Sequence, residues 1–202
     1  MTNPSKSNAV SLTDVAVRFG DVTAVEGLSF DVRTGERVAI LGRTGAGKST
    51  VLNLVVGNLA PASGQVRVVG LDPVGDADAM QGRLAMAFQS PQLLPWRTAL
   101  NNVTLGLEVL GISKNERTDR ATRWLERVHL EDALDRYPAQ LSGGMAQRVS
   151  LARAFAIDPD LVLLDESFSA LDEVTSAALR SDFVELAEQA EQSALIVTHN
   201  IQ

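Results

Sequence analysis

The sequence contains no cysteine and no long apolar segment, and each absence narrows the possible functions. Without cysteine, the 202 residues can form neither a disulfide framework nor a thiolate metal site. No run approaches the roughly 18 apolar residues of a membrane-spanning helix. The first ten residues lack a basic segment followed by an apolar one, so they do not resemble a secretory signal. We therefore expect a cytosolic protein, or one that binds a membrane through a partner.

Basic residues are outnumbered by acidic ones, 18 against 25, which gives a formal net charge of −7. Dedicated nucleic-acid-binding domains usually present a basic face, so we expect no direct nucleic-acid partner. Hydrophobic residues make up 45% of the chain, enough for one substantial core. We expect a single domain over residues 1–202, with residues 1–9 as a disordered lead-in.

Apolar segments with the lengths of strands alternate with helical segments along the chain. Leu28–Val32 alternates with period two, which predicts a half-buried antiparallel strand. Val38–Leu41 is continuously apolar, which predicts a strand buried on both faces. Further strands are predicted at Val15–Val17, Val22–Val25, Gln65–Val69, Leu84–Phe88, Leu161–Leu164 and Ala194–Thr198, and helices at Ser49–Leu59, Met145–Ala156 and Val174–Gln192. This alternation predicts an α/β fold with a mostly parallel sheet, an N-terminal antiparallel subdomain and a helical subdomain inserted at about 90–156.

A glycine-rich loop follows the strand Val38–Leu41 and matches the phosphate-binding pattern G-x-x-x-x-G-K-[S/T]. Its glycines let successive backbone N–H groups point at phosphate oxygens, and the following helix aims its positive end at the same anion. In this pattern Lys48 reaches the β and γ phosphates, and the Ser49 hydroxyl binds Mg²⁺. The predicted nucleotide-binding residues here are Gly42, Arg43, Thr44, Gly45, Ala46, Gly47, Lys48, Ser49 and Thr50.

Two adjacent acids follow the buried strand Leu161–Leu164. Asp165 is placed to hold the metal, and Glu166 to accept a proton from an attacking water. Two acids in this position could also be a solvated strand end. Their combination with Lys48 favours nucleotide hydrolysis.

A second glycine pair lies in Leu141–Met145, just before the predicted helix Met145–Ala156. Ser142, Gly143 and Gly144 would form a second anion-binding helix N-terminus, although such a segment alone could be an ordinary helix cap. One nucleotide cannot occupy both glycine loops of a compact chain unless the loops converge. With these motifs in this order, almost the whole chain resembles the ATP-binding subunits of ABC transporters.

The resemblance implies a dimer of two ATP-binding subunits, identical or different. In that family the Ser-Gly-Gly segment of one subunit closes on the γ-phosphate held by the other. It further implies that Phe19 stacks on adenine, that Gln89 contacts the metal and the attacking water, and that His199 contacts the γ-phosphate. Ser169–Asp172 matches the loop that crosses the dimer interface. The implied catalytic residues are thus Glu166, His199, Gln89 and Lys48, and the metal ligands are Ser49, Gln89 and Asp165.

The segment Gln89–Arg97 looks like that of the importer branch for nitrate, sulfonates and taurine. In the family it faces the membrane subunits, whereas a hydrophobic loop such as Leu94–Trp96 could also fold onto its own core. The resemblance implies a peripheral protein on the cytoplasmic face of the membrane. Its partners would be permease subunits and an extracytoplasmic solute-binding protein.

Family members continue for several helices beyond the histidine that matches His199, whereas this sequence stops at Gln202. We therefore expect a fragment or a truncated member that binds ATP but hydrolyses it poorly. Two alternatives stay open: a soluble ABC ATPase with no membrane partner, and a non-hydrolysing regulatory subunit.

Overall fold

The computed structural model describes residues 7–43, 45–88, 90–165, 185–188, 190 and 192–198. Within these residues the chain forms two sheets and a group of helices. One sheet has three antiparallel strands and the other has four parallel strands. The predicted α/β fold, with a parallel sheet and an N-terminal antiparallel sheet, is confirmed.

The antiparallel sheet is formed by β1 (Asn8–Phe19), β2 (Val22–Arg33) and β4 (Ser63–Val68), in the order β2-β1-β4. In β2, Leu28, Phe30 and Val32 point towards the core while the residues between them are exposed, as their alternation predicts. The prediction that residues 1–9 are disordered is wrong for Asn8 and Ala9, which belong to β1. Ala9 lies in β1, is fully buried, and its carbonyl accepts a hydrogen bond from Val69.

The parallel sheet is formed by β3 (Arg37–Leu41), β5 (Leu84–Ala87), β6 (Leu161–Asp165) and β7 (Ser193–Thr198), in the order β3-β7-β6-β5. Leu161–Leu164 is completely buried. The prediction that Val38–Leu41 is buried on both faces is wrong, because Ala39 is exposed and Leu41 is 47% exposed. Among the described strands β3 is an edge strand, and Ala39 and Leu41 lie on its exposed face.

Helix α1 (Lys48–Val56) packs between the two sheets through Val51, Leu52, Leu54 and Val55. It ends three residues before the predicted limit of Leu59. Gly57 adopts a left-handed φ of 83° and its N–H bonds back to the last turn, which terminates the helix. A β carbon at Gly57 would lie 2.2 Å from the carbonyl oxygen of Pro73, so only glycine fits there.

Three α-helices lie between β5 and β6, namely α2 (Ala99–Val109), α3 (Lys114–Arg127) and α4 (Gly143–Ala156). Two short 3-10 helices, Glu131–Ala133 and Pro138–Gln140, lie between α3 and α4. Gly111, with φ 72°, and the N-cap Ser113 separate α2 from α3. The helices enclose a core of their own around Val103, Leu107 and Leu125. A second face of α4, with Leu151 and Phe155, packs on the parallel sheet and so joins the helices to it.

Within the described part of the chain, none of the helices has the length and apolarity needed to cross a bilayer. The predicted helix Val174–Gln192 lies largely outside the described residues. Of its described residues, 185–188 are helical, whereas Ala190 lies in a turn and Gln192 lies outside any helix.

Candidate nucleotide site

The carboxyl ends of the four parallel strands lie almost level with one another. Leu41 of β3 pairs with Thr198 of β7, and Val197 of β7 pairs with Asp165 of β6. Leu164 of β6 in turn pairs with Ala87 of β5. Ligands of open α/β sheets bind beyond this end of the strands, and here the glycine-rich loop leaves it.

The glycine-rich loop curls back from β3 into α1. Gly45 and Gly47 have left-handed φ values of 84° and 80°, and the N–H of Ala46 donates to the Arg43 carbonyl. The N-cap of α1 is Gly47, which has no side chain to cap the first turn, and that turn contains no acid. The N–H groups of the first turn lack intrahelical partners, so they are available to an anion.

Lys48 lies inside this curl. Its side chain is 7% exposed, and its Nζ donates to the carbonyl oxygens of Gly42 at 2.6 Å and Arg43 at 3.0 Å. A β carbon at Gly42 would lie 3.3 Å from Cβ of Ala46, which is a tight contact, and 3.6 Å from Cδ of Lys48, which is an ordinary one. The loop thus holds a cation beside the uncapped helix end, and both favour negative charge.

The loop is also in contact with the antiparallel sheet. A β carbon added to Gly47 would lie 2.9 Å from the Ala24 carbonyl oxygen and 3.2 Å from Cγ2 of Val25. Ala24 is two residues from Val22, which pairs with Phe19 at the tip of the β1–β2 hairpin. Phe19 is 55% exposed. The hairpin that contacts the loop thus carries an exposed aromatic residue, and the adenine role of Phe19 stays a prediction.

Two side chains predicted as metal ligands belong to described elements. Ser49 is exposed on the first turn of α1, and Asp165 is half-buried at the end of β6. The strand before the glycine-rich loop, β3, and the strand that ends at Asp165, β6, both neighbour β7. At the usual strand spacing of about 4.8 Å, these two strands are about 10 Å apart. Hydroxyl and carboxylate oxygens suit Mg²⁺. No group of three or more His, Cys, Asp or Glu suited to a metal occurs within the described residues.

The second glycine pair begins helix α4. Ser142 is its N-cap, and the Ser142 hydroxyl accepts a hydrogen bond from the N–H of Met145 at 3.3 Å. Ser142 and Gly143 are both exposed. The helix therefore begins two residues before the predicted Met145, and its N-terminus faces outward.

Five predictions fall outside the described residues: Thr44, Gln89, Glu166, His199 and the loop Ser169–Asp172. Three of these residues directly follow, or nearly follow, a strand of the parallel sheet. Gln89 comes two residues after β5, Glu166 directly after β6 and His199 directly after β7.

The segment between β5 and α2 is held by a buried asparagine. The Oδ1 of Asn102, fully buried on α2, accepts from the N–H of Leu94, and its Nδ2 donates to the carbonyls of Leu94, Arg97 and Thr98. Trp96, at the tip of the segment, is 71% exposed. The alternative in which Leu94–Trp96 folds onto its own core is therefore wrong for Trp96.

An ion-pair cluster supports the same segment. Nη1 of Arg97 lies 2.6 Å from Oε2 of Glu108, whose Oε1 lies 3.1 Å from Nη2 of Arg117. The hydrogen bond from Arg97 holds the pKa of Glu108 below its usual range.

Sequence reasoning missed Asn102, Ala24 and Arg153. Arg153 of α4 donates from Nη1 to the Gln92 carbonyl and from Nη2 to the Pro91 carbonyl, both at 2.8 Å. Ala24 and Arg153 contact segments distant in sequence, whereas Asn102 contacts backbone four to eight residues before it. No local motif marks any of the three.

Comparison with known proteins agrees with this geometry. The family model described as ABC transporter matches residues 25–169. The chain is 41% identical over 197 residues to a methionine import ATP-binding protein of Rhizobium etli, covering 96% of this chain and 55% of that protein. It is 40% identical over 197 residues to an aliphatic sulfonates import ATP-binding protein of Granulibacter bethesdensis, covering 98% of this chain and 76% of that protein. The chain thus spans little more than half of the first relative.

A solved structure shares the fold. It is a dimeric, post-hydrolysis state of the ATP-binding cassette MJ0796 bound to ADP and Pi, with a TM-score of 0.81 and 32% identity over 95% of this chain and 88% of that one. The match of the family model to most of the chain, with these relatives, confirms the resemblance inferred from the motifs. This chain belongs to the ABC transporter family, among its ATP-binding proteins.

Proposed function

We propose that this chain binds and hydrolyses ATP to drive the import of a small solute across the cytoplasmic membrane. The observation that carries the proposal is Lys48, buried in the glycine-rich loop beside the uncapped N-terminus of α1. In the proposed complex Lys48 and the loop N–H groups bind the β and γ phosphates, and Phe19 stacks on adenine.

Hydrolysis requires an activated water. Glu166, next to Asp165, is proposed to accept the proton of the water that attacks the γ-phosphorus, while ADP departs as the leaving group. Gln89 and His199 are proposed to orient the water and the γ-phosphate. Ser49 and Asp165 would hold Mg²⁺, which neutralises charge on the β and γ oxygens when bound.

We propose that two ATP-binding subunits act face to face. The exposed N-terminus of α4 has donors and a helix dipole, but its first turn carries no cation. It therefore suits the completion of a phosphate site on another subunit. Closure with ATP and opening after hydrolysis would move the two subunits.

The exposed Trp96 tip, held by Asn102, supports a permease subunit as the partner, since exposed apolar residues often mark interfaces. Relatives at 40–41% identity are named for the import of methionine, sulfonates and taurine. This variety of solutes favours a shared energising role, with a solute-binding protein and the permease selecting the solute. The chain would then lie at the cytoplasmic face of the membrane.

The test compares ATP binding and hydrolysis in Lys48→Ala and Lys114→Ala. Each variant removes one lysine, but Lys114 begins α3 in the helical region and is far along the chain from the glycine-rich loop. Because charge-assisted bonds to phosphate disappear, Lys48→Ala should weaken ATP binding about 10²-fold by calorimetry and abolish turnover. The Lys114→Ala variant should retain both. Normal turnover in Lys48→Ala would sink the assignment.

A further inference from the structure

One cation of α4, Arg153, contacts the segment that carries Trp96. Arg153 is half-buried, and among the described residues it donates to two consecutive backbone carbonyls, those of Pro91 and Gln92. Burial lowers the pKa of its guanidinium. A planar guanidinium can donate to two neighbouring carbonyls at once, which the single ammonium of lysine does less well.

The backbone that Arg153 holds is in an unusual conformation. Gln92 has a φ of 49°, in the left-handed region that residues with a side chain seldom adopt. Such a conformation persists where the surroundings hold it, and the two hydrogen bonds from Arg153 lie directly on it. From there the segment continues to Leu94 and Trp96. Asn102 of α2 forms hydrogen bonds with the backbone of Leu94 and with the carbonyl of Arg97, the residue after Trp96.

A second side chain of α4 contacts the same connection at its start. Nε2 of Gln147, which is 2% exposed, donates to the Phe88 carbonyl at 3.3 Å. Side chains of α4 therefore form hydrogen bonds with the segment after β5 at two places, six residues apart along the helix. α2 and α4 also pack on each other.

We infer that Arg153 is a positioning residue that joins α4 to the Trp96 tip, so that displacement of the N-terminus of α4 on nucleotide binding reaches this surface. The inference rests on the proposed function, because it takes the N-terminus of α4 to respond to ATP. It assigns to one side chain the connection between the phosphate end of the helix and the partner surface.

The chain offers a direct optical test, since its only tryptophans are Trp96 and Trp124. Trp124 stacks on Phe155 with ring centroids 5.2 Å apart, so Trp124→Phe keeps an aromatic ring there. In this background Trp96 reports alone. Its emission and its quenching by acrylamide are measured with and without Mg²⁺ and the non-hydrolysable analogue AMP-PNP, whose affinity is measured by calorimetry.

Adding Arg153→Met should reduce the AMP-PNP-dependent change of the Trp96 signal at least about threefold, while the AMP-PNP affinity stays within about twofold. Arg153→Lys should give an intermediate change, because it keeps the charge but loses the fork. This variant also serves if the methionine variant does not fold. Arg120→Met is the matched control: Arg120 pairs with Glu116 on α3, and it should leave the signal unchanged.

An undiminished nucleotide signal in Arg153→Met would overturn the inference, and so would a Trp96 signal that ignores bound AMP-PNP in the Trp124→Phe protein. Failure of the proposed function is seen separately, as a lack of AMP-PNP binding in calorimetry. That result would contradict both the proposed function and the inference about Arg153.

Discussion

Helices α1 and α4 both begin beside glycine, but they present their first turns in different ways. The N-cap of α1 is Gly47, with a left-handed φ of 80° and no side chain. The N-cap of α4 is Ser142, in an extended conformation, and its hydroxyl already accepts a hydrogen bond from Met145. One of the free donors of α4 is thus satisfied within the chain, whereas those of α1 are left to a ligand.

Charge separates the two helix ends further. Lys48 is buried at the start of α1, while the first turn of α4 is Gly-Gly-Met-Ala and carries no charge. α1 therefore has a cation, a dipole and a curled loop in one place, and α4 has only a dipole and N–H groups. The comparison supports the proposed roles, in which α1 binds a nucleotide alone and α4 completes a phosphate site on another subunit.

The largest effect is expected from Gly47→Ala, which would break the α1 end. The added β carbon would lie 2.9 Å from the Ala24 carbonyl oxygen, and alanine disfavours φ 80°. We expect the free energy of unfolding to fall by about 3 kcal/mol or more, which corresponds to a drop in Tm of about 6–12 °C, and ATP binding to weaken. Thermal melting and calorimetry measure the two effects.

Gly45→Ala is the matched control, because Gly45 has a φ of 84° but a β carbon there would meet nothing within 4 Å. The Gly45→Ala variant should lose only the free energy of unfolding that a left-handed backbone costs an alanine, about 1–2 kcal/mol, or about 2–8 °C in Tm. Equal losses in the two variants would mean that the contact with Ala24 is unimportant.

The next effect is expected from Ser142→Asp, which separates capping from anion binding at α4. Aspartate caps a helix about as well as serine, so Tm should change little. Its negative charge, however, would repel a γ-phosphate from the helix N-terminus. We expect ATP binding to the single subunit to persist, while ATP-dependent association and turnover fall about tenfold or more.

Ser113→Asp supplies the comparison for this variant. Ser113 is the N-cap of α3 and accepts from Glu116 as Ser142 does from Met145. The Ser113→Asp variant should change neither turnover nor ATP-dependent association, which is measured by size-exclusion chromatography with Mg-ATP. If Ser142→Asp keeps wild-type turnover, the N-terminus of α4 does not meet a phosphate.

The sequence predicted those features that depend on neighbouring residues. The glycine-rich loop, Lys48 and the start of α4 were predictable because residues within a few positions determine a tight turn, a helix N-terminus and their charge. The alternation at Leu28–Val32 likewise needs only the period of a strand. Each of these follows from local physical chemistry.

Features set by the order of strands or by distant contacts were not predictable. Val38–Leu41 has the composition of a central strand, yet β3 is an edge strand among those described, and its exposure depends on its neighbours. Ala9 is buried because β4 and the residue after it pair with β1. The partners of Arg153 likewise lie about sixty residues before it, on backbone whose course no local pattern reveals.

The smallest effect is expected from Ser142→Ala, which removes a cap without adding charge. Loss of an N-cap hydroxyl costs about 1 kcal/mol, or about 2–4 °C in Tm for a chain of this size. Ser113→Ala removes the same kind of bond, at 3.4 Å instead of 3.3 Å, from a helix without a proposed phosphate role. Both variants should melt earlier by a similar amount, and only Ser142→Ala should also raise the ATP concentration needed for half-maximal turnover. Since the N–H of Met145 loses its internal partner in that variant, a lower ATP requirement would show that the hydroxyl competes with the phosphate for this donor.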